Sequence, residues 1–268
     1  MLHALTRPDG SSRSWKPSCH KRRLAKSASL RLVLCICLCL MPSLPLSAQA
    51  DATPPLRLRL LAFQPGLATD ESFLHDPDAP EASSGIRAPL KSYLNHESVR
   101  VVLKSHRLVI TKSADRASLK NPDQRLAEAT LPAALQSAVI LCLPDAPGAK
   151  LPFRVLVIDD STQAFPPGSF RVTNLSPSQV RIELEKRPWE IRPGGTEMII
   201  DPPVRHGNLS GMKAFVLENQ NWRCIASGIW PHPGKERAIQ VLYYHPAARQ
   251  VQLRAFDDVP SSGAVPQP

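Results

Sequence analysis

The sequence predicts an all-β protein, an antiparallel β-sandwich built as one large or two small β units with at most one short helix. Three observations carry this. Apolar and polar residues alternate with a period of two along much of the chain, as in strands with one wet face. The alternating runs are separated by short connections rich in Pro, Gly, Asn and Ser, the composition of turns. Of the 28 prolines, 24 follow residue 50, a density that interrupts long helices.

Residues 1–50 read as an export signal. Residues 21–31 (KRRLAKSASLR) form a basic n-region, and Leu32 to Leu46 is an apolar stretch broken late by Pro42 and Pro45. Ala48-Gln49-Ala50 then places small residues before Asp51, the arrangement of a cleavage site. The stretch is shorter than the ~20 apolar residues of a spanning helix. The reading is cleavage between Ala50 and Asp51, a mature form without a membrane span, and a periplasmic or extracellular location. The leader also explains the charge. It holds eight of the 33 Lys and Arg and one of the 23 Asp and Glu, so residues 51–268 carry only +3 of the net +10. A phosphate-tracking surface has no support in that balance, and no nucleic-acid partner is expected.

Along the mature chain, Leu56-Arg57-Leu58-Arg59-Leu60 sets leucines on one face and arginines on the other. Residues 64–98, with Pro65, Pro77, Pro80 and Pro89, read as a long surface loop. Lys104-Ser105-His106 joins two further strands. Asn121-Pro122 followed by DQRLAEAT has the cap and first-turn chemistry of a short helix ending before Pro132. The turn-rich Asp145–Gly148 divides an N-terminal β unit, 51–148, from a C-terminal antiparallel sandwich unit, 149–258. Phe153 to Ile158 is apolar on both faces and reads as a central strand. Hairpins are then expected across Asn174–Ser178, Pro193-Gly194-Gly195, Asn219-Gln220-Asn221 and His245–Ala248, and a disordered tail over 259–268.

Motifs for chemistry are sparse. No His pair has metal-helix spacing, and there is no CxxC, GxSxG, P-loop or GxGxxG motif. His206, His232 and His245 with Asp201 form a conceivable metal cluster in C-terminal loops, but solvated loop histidines are the simpler reading. Ser210, Asp76-Pro77-Asp78 and Asp159-Asp160 are equally explained as turn and strand-end residues. No catalytic residue, metal ligand or cofactor is assigned. Cys142 and Cys224 survive leader removal, and one disulfide between them is compatible with an oxidising compartment; two buried thiols are the alternative. Trp230, His232, Tyr243, Tyr244 and His245 concentrate aromatic mass around one long connection and form the candidate contact surface.

Phe170-Arg171-Val172-Thr173-Asn174-Leu175-Ser176-Pro177 and the later Ile191-Arg192-Pro193-Gly194-Gly195 resemble a motif of secreted bacterial β-sandwich proteins, similar to domains of periplasmic accessory proteins of polysaccharide acetylation and of uncharacterised exported proteins. The run from Trp222 to Asp258 resembles the C-terminal part of uncharacterised exported bacterial proteins. The resemblance spans Phe170–Asp258 and implies a non-enzymatic exported module. The functional expectation is a binding or structural protein of the cell envelope, with an envelope protein or polysaccharide as partner. An envelope-polymer hydrolase using a loop His and a carboxylate, and an adhesion or assembly subunit using an exposed sheet edge, are the alternatives.

Overall fold

A computed structural model describes residues 54–258 except 147, 206, 208 and 231–235. The cleavage residues Ala48, Ala50 and Asp51, the histidines His206 and His232, and the segment 259–268 lie outside the described residues. The alternating runs become strands: β1 (Leu56–Ala62), β2 (Phe73–His75), β3 (Ile86–Arg87), β4 (Leu90–Lys91), β5 (Val99–Val101), β6 (Arg107–Thr111), β7 (Arg125–Thr130), β8 (Ser137–Pro144) and β9 (Phe153–Asp159). These are followed by β10 (Phe170–Asn174), β11 (Val180–Leu184), β12 (Arg187–Ile191), β13 (Thr196–Ile199), β14 (Ser210–Glu218), β15 (Asn221–Trp230), β16 (Arg237–His245) and β17 (Gln250–Asp258). Among the described residues there is no α-helix, and the fold is an all-β sandwich architecture.

Four sheets are stacked as four layers. The N-terminal pair consists of an outer sheet, β3-β2-β6-β7, and an inner sheet, β4-β1-β8-β9, with β5 also on β1. The C-terminal pair consists of an inner sheet, β13-β10-β16-β17, and an outer sheet, β12-β11-β14-β15. Leu58, Leu60, Ile140 and Cys142 face the outer N-terminal sheet and meet Leu74, Leu108 and Ile110. Val172, Ile182, Ala214 and Leu242 fill the C-terminal sandwich. The third core lies between the two inner sheets, where Leu61, Phe63, Val139, Leu141 and Ile158 pack on Ile239, Val241 and Phe256. Both inner sheets are therefore buried on both faces, and both contain parallel pairs: β1 with β8, and β10 with β16.

Several sequence-based expectations are corrected. The 148/149 boundary cuts the β8–β9 hairpin, which pairs Ala138 with Asp159 through Pro144 with Phe153; the passage from one sandwich to the other follows β9. The expected long loop contains β2, β3 and β4. Its turn is held by Arg116, whose guanidinium donates to the carbonyls of Asp76, Pro77 and Ala79 at 3.1, 2.7 and 2.7 Å. Asn121 caps as expected, accepting from the Asp123 N–H at 3.0 Å. The turn ends at Gln124, however, and Arg125–Thr130 pairs with β6 as a strand, because so short a helix is marginal against a ladder of cross-strand bonds. Phe153–Ile158 is a terminal strand of its sheet, and the fully buried β8 is central. The short β5 to β6 connection and two expected hairpins, β10 to β11 and β12 to β13, are passages between facing sheets. Connection length alone does not separate a hairpin from such a corner.

The last two corners explain the motifs behind the family resemblance. The buried Asn174 carboxamide donates to the carbonyls of Ser178 and Ile191 at 2.8 and 3.0 Å and accepts from the Ser176 N–H and hydroxyl at 3.0 and 2.7 Å. Its backbone N–H bonds Gly195 O, and its carbonyl accepts from Gly194 N–H. Gly194 sits at φ 72° after Pro193, the left-handed position of a type II turn. The Asn-x-Ser-Pro and Pro-Gly-Gly turns thus form one hydrogen-bonded corner.

No disulfide joins the two cysteines. Cys142 faces the N-terminal core on β8 and Cys224 is exposed on β15, in the outermost C-terminal layer. Burial pushes the Cys142 thiol up to about 12. A maleimide reagent is therefore expected to add once to the native protein, at Cys224, and twice after denaturation; intact mass spectrometry reads both, and an unmodified denatured protein would restore the disulfide.

The seam between the inner sheets is closed at one end by two arginines and two aspartates. Arg59 donates from Nη2 to Asp160 at 2.8 Å and from Nη1 to Asp258 at 3.0 Å. Arg237 donates to Asp160 at 3.0 Å and also binds Asp258. Remaining donors go to backbone: Arg59 to Leu94 O at 2.8 Å and Arg237 to Phe165 O at 3.0 Å. Burial works against the Asp258 charge, but Arg59 and Arg237 outweigh it and hold the carboxyl below its ordinary value. Its stabilisation is complete above the unfolded-state pKa near ~4 and is lost as pH falls through the lower folded value. Asp258→Asn should cost about 3–5 kcal/mol at neutral pH and lower Tm by about 6–20 °C. It should also flatten the acid limb of the stability profile below about pH 5. Calorimetric melts across that range check both, and an unchanged acid limb would remove Asp258 from the account.

Candidate functional site

Because β1 and β8 are parallel, as are β10 and β16, their ends gather in sets at the two ends of the seam. The C-terminal ends of β1, β8, β10 and β16 surround a cavity of about 690 Å³. Its walls include Phe63, Leu143 and Leu175, with Tyr243, Tyr244 and His245 from the end of β16. Three of the five predicted contact residues therefore converge on one concavity. Tyr243 is half-buried, and Phe63 meets its ring edge-on at 4.8 Å. Its hydroxyl donates to Gln252 Oε1 at 3.0 Å, which fixes the ring. Tyr244 is 44 % exposed and keeps its ring available.

His245 is oriented by its own turn. Its Nδ1 accepts from the Ala248 N–H at 3.1 Å, which leaves Nε2 carrying the proton of the neutral ring. Gln64, Asp145 and Arg154 add polar groups to the same walls. Arg254 lies over the Phe63 and Phe256 rings at 5.5 and 5.0 Å, so a guanidinium supports the aromatic wall from behind. The cavity offers flat apolar surface beside hydrogen-bonding groups of both polarities, the pairing that holds a ligand with apolar faces and polar edges.

Trp230 is not part of this surface. Its register partner is Ser210 on β14, which turns the indole into the C-terminal core, 5 % exposed, with its ring 4.0 Å from that of Phe170. Four other residues weighed from the sequence make structural hydrogen bonds or ion pairs. Ser210 is buried and donates to Pro203 O. Asp76 accepts from the Asp78 and Lys104 N–H groups, Asp159 accepts from Ser161 N–H, and Asp160 is held by Arg59 and Arg237. Among the described residues no group of three or more His, Cys, Asp or Glu is placed to hold a metal ion. Phe63, Leu143, Arg154 and Leu175 were missed by sequence reasoning, because they reach the site only through packing between distant strands.

The opposite end of the seam holds a second cavity, of about 370 Å³, at the starts of β1, β8 and β16. The four-charge cluster forms its floor, and Arg57, His96, Ser98, Ser137 and Thr162 line it. The His96 ring meets Tyr93 edge-on at 6.0 Å, and its Nδ1 lies 3.2 Å from Glu97 O. Burial pushes the His96 pKa down, so arginines supply the positive charge here at neutral pH.

No helix among the described residues is long and apolar enough to cross a membrane. No protein-family model and no curated protein matches the chain. Among solved structures, the crystal structure of a candidate cell adhesion protein from Bacteroides uniformis ATCC 8492 is similar at 8 % identity, covering 78 % of this chain and 99 % of that one. The TM-score of that superposition is 0.20, too low for the neighbour's role to bear on this chain.

Proposed function

We propose that this chain is an exported, non-enzymatic binding protein of the cell envelope that holds a glycan segment in the aromatic cavity. The observation that carries the reading is the convergence of Tyr243, Tyr244 and His245 with Phe63 on one cavity of about 690 Å³ between two packed sandwiches. That size falls within the ~300–1,000 Å³ of small-ligand sites, which favour such interfaces. Sugars present apolar faces to aromatic rings and hydroxyls to groups such as Gln64, Asp145 and the His245 Nε2–H. Export rests on the leader pattern. Secreted material should begin at Asp51 by N-terminal sequencing, and a chain beginning at Met1 would reject cleavage.

The hydrolase alternative keeps one supporting observation: His245 and the carboxylate of Asp145 line the same cavity. Assembly through the outer edge of β15 is less favoured, because the register with β14 shifts at Ala214/Phe215 and leaves Ile225 without a partner. A bulge of this kind disrupts edge-to-edge pairing. Calorimetric titration with soluble peptidoglycan fragments and neutral and acidic exopolysaccharide oligomers tests the binding reading. Tyr244→Ala should weaken binding by about tenfold or more with no change in Tm, since the ring is exposed. Undiminished affinity in that variant would move the site elsewhere. Release of reducing ends, lost in His245→Ala, would replace binding by hydrolysis.

A further inference from the structure

We infer that the arginine-lined end of the seam is a second binding site, for a phosphate-type oxyanion. Arg57 on β1 and Arg100 on β5 are direct register partners. Side chains directly opposite across an antiparallel pair leave the same face about 4.5–5.5 Å apart at Cβ, and like charges there are destabilising. Both residues are exposed. Among the described residues no carboxylate forms an ion pair with either of them.

The neighbouring charges are already matched. Arg59 and Arg237 face Asp160 and Asp258 in equal number, with their donors directed to those carboxylates and to backbone carbonyls. The positive excess at the cavity is therefore Arg57, which lines it, reinforced by its register partner Arg100. Ser98, Ser137 and Thr162 place hydroxyls around the same space. A planar guanidinium beside several hydroxyl donors suits the oxygens of a tetrahedral anion. Such an anion would also relieve the repulsion between the paired arginines.

The test uses the mature protein with inorganic phosphate at low ionic strength, followed by calorimetry and 31P NMR. Saturable binding is expected, and Arg57→Gln/Arg100→Gln should lower the affinity by at least about tenfold. Arg187→Gln, on the remote strand β12, should leave it unchanged. Without phosphate the double variant should melt at the same temperature as the parent or up to about 4 °C higher, which separates lost binding from lost folding. Co-sedimentation with phosphatidylcholine vesicles containing phosphatidylglycerol identifies the source of the phosphate. Sedimentation that depends on the two arginines assigns a lipid headgroup, and its absence assigns a free phosphate. No saturable binding in either arm, or equal binding by the double variant, overturns the site. Since the aromatic cavity lies at the other end of the seam, Tyr244→Ala should bind phosphate normally, and failure of the glycan reading would be visible separately.

Discussion

Everything in the layer order rests on the contact between the two inner sheets. Leu61, Val139, Leu141, Ile158, Ile239 and Val241 are fully buried there, and each such side chain is worth about 1.5–3 kcal/mol removed from water. The Arg59–Asp160–Asp258–Arg237 cluster contributes differently. Desolvating four charges offsets much of their mutual attraction, and a well-packed apolar replacement can be as stable. What the cluster adds is selectivity of arrangement. Each arginine bridges both aspartates, so a sliding of one sheet over the other by one strand position would leave buried charge unpaired. The apolar layer supplies the adhesion, and the ionic cluster selects one docking of the sandwiches.

That division of labour explains what could be read from the sequence. Alternation in Val180–Leu184 reports a local property, which face of a strand is buried, and the all-β class follows from runs of this kind. Leu56-Arg57-Leu58-Arg59-Leu60 shows where local reading ends. The leucine face does meet a core, but the arginine face is not uniformly solvent-facing. Arg59 is buried against Asp258, 199 residues away, and Asp160, 101 residues away. Nothing at Arg59 distinguishes it from Arg57, two positions earlier. The difference is made by the sheet that docks over the former and stops short of the latter.

The candidate site divides along the same line. Tyr243, Tyr244 and His245 are adjacent in sequence and stand out as an aromatic cluster in an aromatic-poor chain. Trp230 looks equivalent by composition but takes the opposite role, because the β14–β15 register turns it inward to Phe170. Phe63 is the converse case, an unremarked residue at the end of β1 that becomes a wall of the cavity. The Asn174 corner is a third instance. Its residues carry the resemblance to exported sandwich proteins, yet their polar groups are consumed in closing two turns between facing sheets. A motif of this kind reports a way of folding a chain between layers and says little about what the folded chain binds.

The parallel pairs give the seam a direction, and from that direction its two ends acquire different chemistry. In an all-antiparallel stack, neighbouring strands would deliver starts and finishes alternately to each rim. Here β1 and β8 start together, as do β10 and β16, and the inner sheets lie so that the ends of all four face one cavity. The residues at or near the starts of these parallel strands, Arg57, Ser137 and Arg237, meet at the polar end, where mid-strand Arg59 and the Asp160 and Asp258 carboxylates at the ends of the antiparallel β9 and β17 join them. Those at strand finishes, Phe63, Leu143, Tyr243 and His245, meet at the aromatic end. The placing of the buried ion-pair cluster at one end and the tyrosines at the other is thus a consequence of topology acting on a few residues per strand. The fully buried apolar layer between the two ends joins them physically, so an elongated ligand with one anionic terminus would have to pass around the seam and not through it.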